Sequence, residues 1–366
     1  MRIVPLDSIS TSQRQAWERL AACAVEPNPF FEADFATTAA RELGSGGVGL
    51  LVLERNERWE GCMPVVLQKV LGYRATVSTW YHPYSFLGTP LVDRDRVDDF
   101  ARALIDSVRK REHARLLAIR RIGDGPVLAA LERAREDAEG KAVEIAFERS
   151  FQRPMLERRA EPDYLSGLKS RQRSELKRQR RRLAEALETE PTAVDRTDFG
   201  SAADAFLQLE ASGWKGERGT ALASRKESAR MFRALCRTLG PSGRLQMRSL
   251  QAGNRVLAMT CDLIAGDALF GFKTAYDEAL RRYSPGIQLQ VENFAAFHER
   301  RERRLLDSCS EPDGGAMENL WPDRRRIVTV AFGRRGPVTA LAGRVLNSAN
   351  RTRRRSVEQS APRDRS

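Results

Sequence analysis

The apolar positions of this 366-residue chain change period several times, and each change predicts an element. Residues 1 to about 45 carry helical spacing in SQRQAWERLAACA and PNPFFEADFATTAAREL, with Asn28-Pro29 leading into the second helix and Phe30 and Phe31 as core anchors. Two apolar runs, Val48 to Leu53 and Cys62 to Gln68, flank the polar turn Arg55-Asn56-Glu57-Arg58 and predict an antiparallel meander. Pro83, Gly88 and Pro90 break the aromatic stretch that follows, with Tyr73, Trp80, Tyr81, Tyr84 and Phe86, into a structured loop. An amphipathic helix beginning near Asp98 then feeds a strand at Leu116 to Ile119. A further helix, Gly125 to Ala138, precedes a strand at Val143 to Phe147 that continues towards Pro154-Met155, so residues 1–155 read as a mixed α/β layer.

The second half begins with a helical pattern from Asp163 to Glu190, a short strand from Thr192 to Arg196 and a helix from Ala202 to Ala211. A glycine-broken loop, Ser212 to Thr220, carries Trp214 and Lys215 as candidate binding residues. After a helix from Ser224 to Leu239, stopped by Gly240-Pro241, three strands are expected at Leu245 to Leu250, Arg255 to Ile264 and Ala268 to Thr274. Ser284-Pro285-Gly286 then supplies a capping hydroxyl and a first-turn proline to a mostly buried helix. A helix opening directly after Arg281-Arg282 places free N–H groups, the positive dipole end and two guanidiniums at one point, which is how a phosphate is held. Strands at Arg303 to Cys309 and Arg326 to Ala331, separated by the loop EPDGGAMENLWPDRR, complete the pattern.

Composition narrows the reading. A hydrophobic share of 41% with 30% charged residues suits a globular protein, no run approaches a membrane span, and MRIVPLDSIS lacks a signal layout, so a cytoplasmic protein is expected. The five cysteines and three histidines are scattered, which argues against a disulfide framework, a metal site or a Ser-His-Asp triad. The net charge of +13 invites a nucleic-acid reading, but seven arginines lie between Pro337 and Ser366, in a basic tail (336–366) expected to be disordered. Eight more Lys or Arg fall within the fourteen residues Lys169 to Arg182, with no aromatic among them. That run reads equally as a solvated helix face or as a positive rim for an anionic substrate, cofactor or nucleic acid.

The order helix, helix, three antiparallel strands, basic turn, helix, strand, loop, strand resembles the GNAT acyltransferase fold. The segments LEASGWKGERGTAL, RVLAMTCDLIAGDALFGFKTAYDEALRRYSPGIQLQ and LDSCSEPDGGAMENLWPDRR carry the resemblance, which is sharpest to the CelD-like acetyltransferases named after a cellulose-biosynthesis protein. These are related in architecture to the Fem-type peptidyltransferases, which join two such domains. The resemblance implies mixed α/β sheets in two tandem GNAT-like domains, a degenerate one over 1–155 and an acetyltransferase domain over 156–335. It implies acetyl-CoA as co-substrate and transfer of an acyl group to the nitrogen or oxygen of a small-molecule, glycan or amine acceptor, with polysaccharide or envelope metabolism as the setting in which relatives act. The oligomeric state stays open. The acyl-CoA turn of the family, Gln/Arg-x-x-Gly-x-Gly/Ala, matches Arg281, Ser284 and Gly286, with serine for the first glycine. Pro285 removes one N–H, so the pyrophosphate would rest on the Gly286, Ile287 and Gln288 amides together with Arg281 and Arg282. The family's splayed strand corresponds to Phe270 to Thr274, with Phe272 and Thr274 at the cofactor. Asp307 is the first candidate for base or substrate anchor, followed by Glu318 and Tyr276, while Lys215 and Lys273 would bind an acceptor carboxylate or phosphate. A Fem-type reading would take aminoacyl-tRNA as donor on the Lys169 to Arg182 helix, and a noncatalytic nucleic-acid-binding reading rests on charge alone.

Overall fold

Strand β2 (Val48–Arg55) is apolar at nearly every inward and outward position because its first six residues are all buried, and the long strand β3 (Arg58–Val70) pairs with it through the turn at Asn56 and Glu57, both at positive φ. The computed structural model describes residues 1–344 except 45, 71–72, 111, 113–114, 139–141, 161–163, 313, 338 and 342–343. The first half also contains β1 (Arg2–Pro5), α1 (Thr11–Cys23), α2 (Ala33–Leu43), β4 (Tyr73–Thr79), β5 (Leu91–Val92), α3 (Val97–Lys110), β6 (Leu116–Gly123), α4 (Pro126–Asp137) and β7 (Val143–Glu157). The second contains α5 (Ser170–Leu187), β8 (Thr192–Asp195), α6 (Phe199–Ala211), α7 (Trp214–Glu217), α8 (Lys226–Leu239), β9 (Leu245–Ala252), β10 (Arg255–Ala265), β11 (Ala268–Tyr276), α9 (Pro285–Glu299), β12 (Leu305–Asp307), α10 (Ala316–Leu320) and β13 (Asp323–Arg334).

All of these strands form one mixed sheet, ordered β1-β2-β3-β4-β6-β13-β7-β12-β11-β10-β9-β8, with β5 beside β3. Its pairs are antiparallel except β4 with β6 and β11 with β12. The last strand, β13, lies in the middle, where Val328 faces Ile122 of β6 and Ser150 of β7. The α/β fold class expected from the sequence is therefore what the chain adopts. A division at residue 155 falls inside β7, within continuous pairing.

Several local expectations need correction. The N-terminus begins with an edge strand rather than a helix, because Arg2 to Pro5 completes the open side of β2. Residues 73–79 form a strand, and the loop after β12 contains the short helix α10. The expected tail begins with ordered residues: Ala340 donates to the Gly336 carbonyl at 3.1 Å and the Thr339 hydroxyl to the Arg334 carbonyl at 2.6 Å. From residue 345 onward it lies outside the described residues. Among the described residues no helix is long and apolar enough to cross a membrane.

The segment Asn28 to Phe31 positions part of the site from a distance. Asn28 caps a 3₁₀ turn by accepting the Phe30 N–H at 3.1 Å, and its amide donates to the Thr89 carbonyl at 2.7 Å. Phe30 then packs edge-on against Phe35 and Phe86, so the aromatic loop between β4 and β5 is fixed at both ends.

Candidate active site

Strands β11 and β12 pair over three residues, ending with Phe270 beside Asp307, and then part. Two features open the gap. On β11, Lys273 stands opposite Cys261 and Gly271 opposite Asp262, so Phe272 is the extra residue of a β-bulge. On β12, the Asp307 carboxylate accepts the Cys309 N–H at 2.7 Å, and Cys309 takes φ 53°, which swings the chain off the strand line.

The gap encloses about 300 Å³, lined by Phe86, Lys215, Asp262, Gly271 to Thr274, Gln290, Leu306, Ser308 to Ser310, Met317, Glu318 and Trp321. The bulge turns Phe272 and Lys273 to the same side. Phe272 stacks on Phe232 of α8 at 6.3 Å, and the Lys273 ammonium lies 5.1 Å from the ring centre of Tyr84, whose hydroxyl bonds the Ser228 hydroxyl of α8 at 2.7 Å. Desolvation lowers the Lys273 pKa to about 8, with Lys215 adding to the shift and Glu210 and Cys261 opposing it. Asp262 shares the opposite face with Thr260, which accepts from Asn293 of α9, and burial raises its pKa to about 7 against the opposing charge of Arg248. Sequence reasoning missed Asp262, since an acidic residue inside an apolar strand run gives no sign of facing a gap.

Lys215 is firmly placed. Its ammonium donates to Glu210 at 3.1 Å and to the Thr274 carbonyl at 2.8 Å, while the other Glu210 oxygen accepts the Leu222 N–H at 2.7 Å. Glu210 is buried and was also missed. The backbone around Lys215 leaves no spare room, since a Cβ on Gly216 would stand 1.8 Å from the Ala211 carbonyl oxygen. Gly216→Ala is expected to destabilise the protein by about 1–3 kcal/mol and to displace Lys215 from the gap, checked by thermal melting alongside acyl-transfer rate.

The other candidates lie in different surroundings. Asp307 is fully buried between Arg153, at 3.6 Å, and Arg325, at 3.3 Å, while its neighbours Leu306 and Ser308 face the gap. The carboxylate is thus part of a buried ion-pair network with two guanidiniums. Glu318 lines the gap and accepts the Gly314 N–H at 2.7 Å. Tyr276 and the half-exposed Trp214 border a separate small hollow with Glu278, and burial, then Glu278, raises the Tyr276 pKa.

The turn before α9 is a 3₁₀ helix, Glu278–Tyr283, ending in Ser284 at φ 51°. Contrary to the sequence expectation, the Ser284 hydroxyl does not cap α9, because the left-handed backbone directs it elsewhere. Its carbonyl instead accepts both the Ile287 and Gln288 N–H groups at 3.0 Å. With no N–H on Pro285, Gly286 keeps the one uncommitted amide of this first turn among the described residues. Arg281 and Arg282 are exposed and make no ion pair among the described residues.

Residues 170–313 match the family model described as the Acetyltransferase (GNAT) domain. No curated protein matches the sequence. Among solved structures, FemX superposes with a TM-score of 0.58 at 14% identity, over 87% of this chain and 95% of that one. The C-terminal domain of a putative lysylphosphatidylglycerol synthetase from Agrobacterium fabrum gives 0.53 at 12% identity, over 92% and 95%. L-PGS from Bacillus licheniformis gives 0.53 at 10% identity over the same shares. These likenesses show a shared fold across both halves. The segment that matches this family model, residues 170–313, contains the parting strands and the turn before α9.

Proposed function

We propose that the protein transfers an acyl group, in the first instance acetyl, from acyl-CoA to an amine or hydroxyl acceptor, with the reacting atoms in the β11–β12 gap. The parting of these strands beside the bulge carries this reading, because it frees β11 backbone between Gly271 and Thr274 to meet a thioester carbonyl. Lys273 takes the proton from the attacking group, since a lysine with its pKa lowered to about 8 carries a neutral amine in part of the molecules near neutral pH and in most of them above 8. Lys215, held by Glu210, offers its charge to an anionic part of the acceptor. Phe86, Leu306 and Trp321 supply apolar walls that exclude water. Within the GNAT acyltransferases the sequence segments favour the CelD-like branch, a cytoplasmic enzyme and an acceptor from polysaccharide or envelope metabolism.

A second reading takes aminoacyl-tRNA as donor. The basic helix α5 beside the turn favours it, as does the likeness in fold to FemX. Calorimetry of the protein with acetyl-CoA and, separately, with an aminoacyl-tRNA at physiological salt decides between them. Saturable acetyl-CoA binding, with thiol release when amines are added, is expected. Tight tRNA binding without any acetyl-CoA binding would move the assignment to the second donor.

A further inference from the structure

We infer that the phosphate-bearing end of the donor is held by helix α5, in the hollow between α5 and the Glu278–Tyr283 turn, with Arg182 and Arg282 as its main cations and Arg178 beside them. This rests on the acyl-CoA reading. Helix α5 is seated across the start of α9: Gln288 donates its side-chain amide to the Leu176 carbonyl at 3.1 Å, and Leu183 is buried with Leu280, Tyr283 and Leu289. The hollow measures about 510 Å³, a size suited to a nucleotide-like group, and the three arginines and Tyr283 line it.

Two carboxylates also line this hollow, and both have partners: Glu175 pairs with Arg178 at 2.5 Å and Glu185 with Arg181 at 3.4 Å. Arg180 is likewise engaged, by Glu190 at 2.8 Å and Glu292 at 3.5 Å. Arg182 and Arg282 make no ion pair among the described residues, and both line the hollow beside Tyr283, which ends the turn leading into α9. Guanidinium forks match phosphate oxygens two at a time, so this pair suits a phosphate group. The basic run, which reads equally as a solvated face or a positive rim from the sequence, thus contributes Arg178 and Arg182 to this hollow.

The test uses the full chain with Arg178→Gln and Arg182→Gln together, both exposed positions where glutamine keeps helix propensity. The variant is expected to bind CoA roughly 10- to 100-fold more weakly. Its preference for acetyl-CoA over phosphate-free S-acetylpantetheine, measured as a ratio of kcat/KM values, is expected to shrink by a similar factor. Unchanged CoA affinity in a variant that still transfers acetyl groups would overturn the clamp and leave the acyl-CoA reading standing. A wild-type protein that binds no CoA would overturn both, so the two failures are told apart.

Discussion

Replacing Lys273 by methionine is expected to lower kcat by roughly 10²–10⁴-fold while the protein stays folded, because the proton of the attacking group loses its acceptor. Lys273→Arg should be as inactive, since a guanidinium stays protonated at any working pH. That pair of variants separates two roles: if arginine restores activity, Lys273 anchors an anion, as the sequence suggested, and does not take a proton. The pH profile adds a third arm. With the Lys273 pKa lowered from 10.5 to about 8, only a minority of the wild-type protein carries the neutral amine at pH 7. The rate should rise with pH and level off above about 8. Stability moves in the same direction. The folded protein releases this proton near pH 8 and the unfolded chain near 10.5, so the lysine's unfavourable contribution is complete below 8 and fades between those values. Burial sets this value, with Glu210 and Cys261 opposing it and Lys215 adding to it.

Asp307→Ala is expected to destabilise the protein by about 3–5 kcal/mol, read as a lowered denaturant midpoint, because it strands the buried Arg153 and the largely buried Arg325 without their counter-charge. The same change removes the acceptor for the Cys309 N–H and with it the turn that parts β12 from β11. The Phe86 carbonyl, which accepts from Arg153 at 2.7 Å, would shift as well, so damage at Asp307 should reach the aromatic wall of the gap. A base role predicts a different result: near-normal stability with activity lost. A variant with an unchanged midpoint would therefore discard the structural account.

Periodicity in the sequence was enough to anticipate β9 to β11, α8 and α9, because each is bounded by Gly, Asn or Pro turns and buries a regular pattern. It was not enough for β1 or β4, which are strands because of the neighbours they pair with rather than their own composition. The site divides the same way. Lys215, Lys273 and Phe272 could be found as chemically capable residues next to glycine-rich or strand-ending segments. Asp262 and Glu210 could not, since their importance comes from a bulge and from a buried hydrogen bond, neither of which leaves a local signature. The Ser284-Pro285 turn shows a third case: the sequence draws attention to these residues, but the αL backbone decides which groups remain available for a ligand.

The central position of β13 has a consequence for how the protein is made. Strands β6 and β7 have been synthesised long before Asp323 leaves the ribosome, yet each has its neighbouring edge filled by that late segment. The first half must therefore wait with one edge of β6 and both edges of β7 unpaired, since β12 fills the other side of β7, and the final pairing joins residues about 175 to 210 positions apart, such as Ile327 with Phe151 and Val330 with Ile119. Such long-range closure makes folding slow and leaves nascent chains open to mispairing and chaperone capture. A chain that stops before Asp323 would lose the strand that joins β6 to β7.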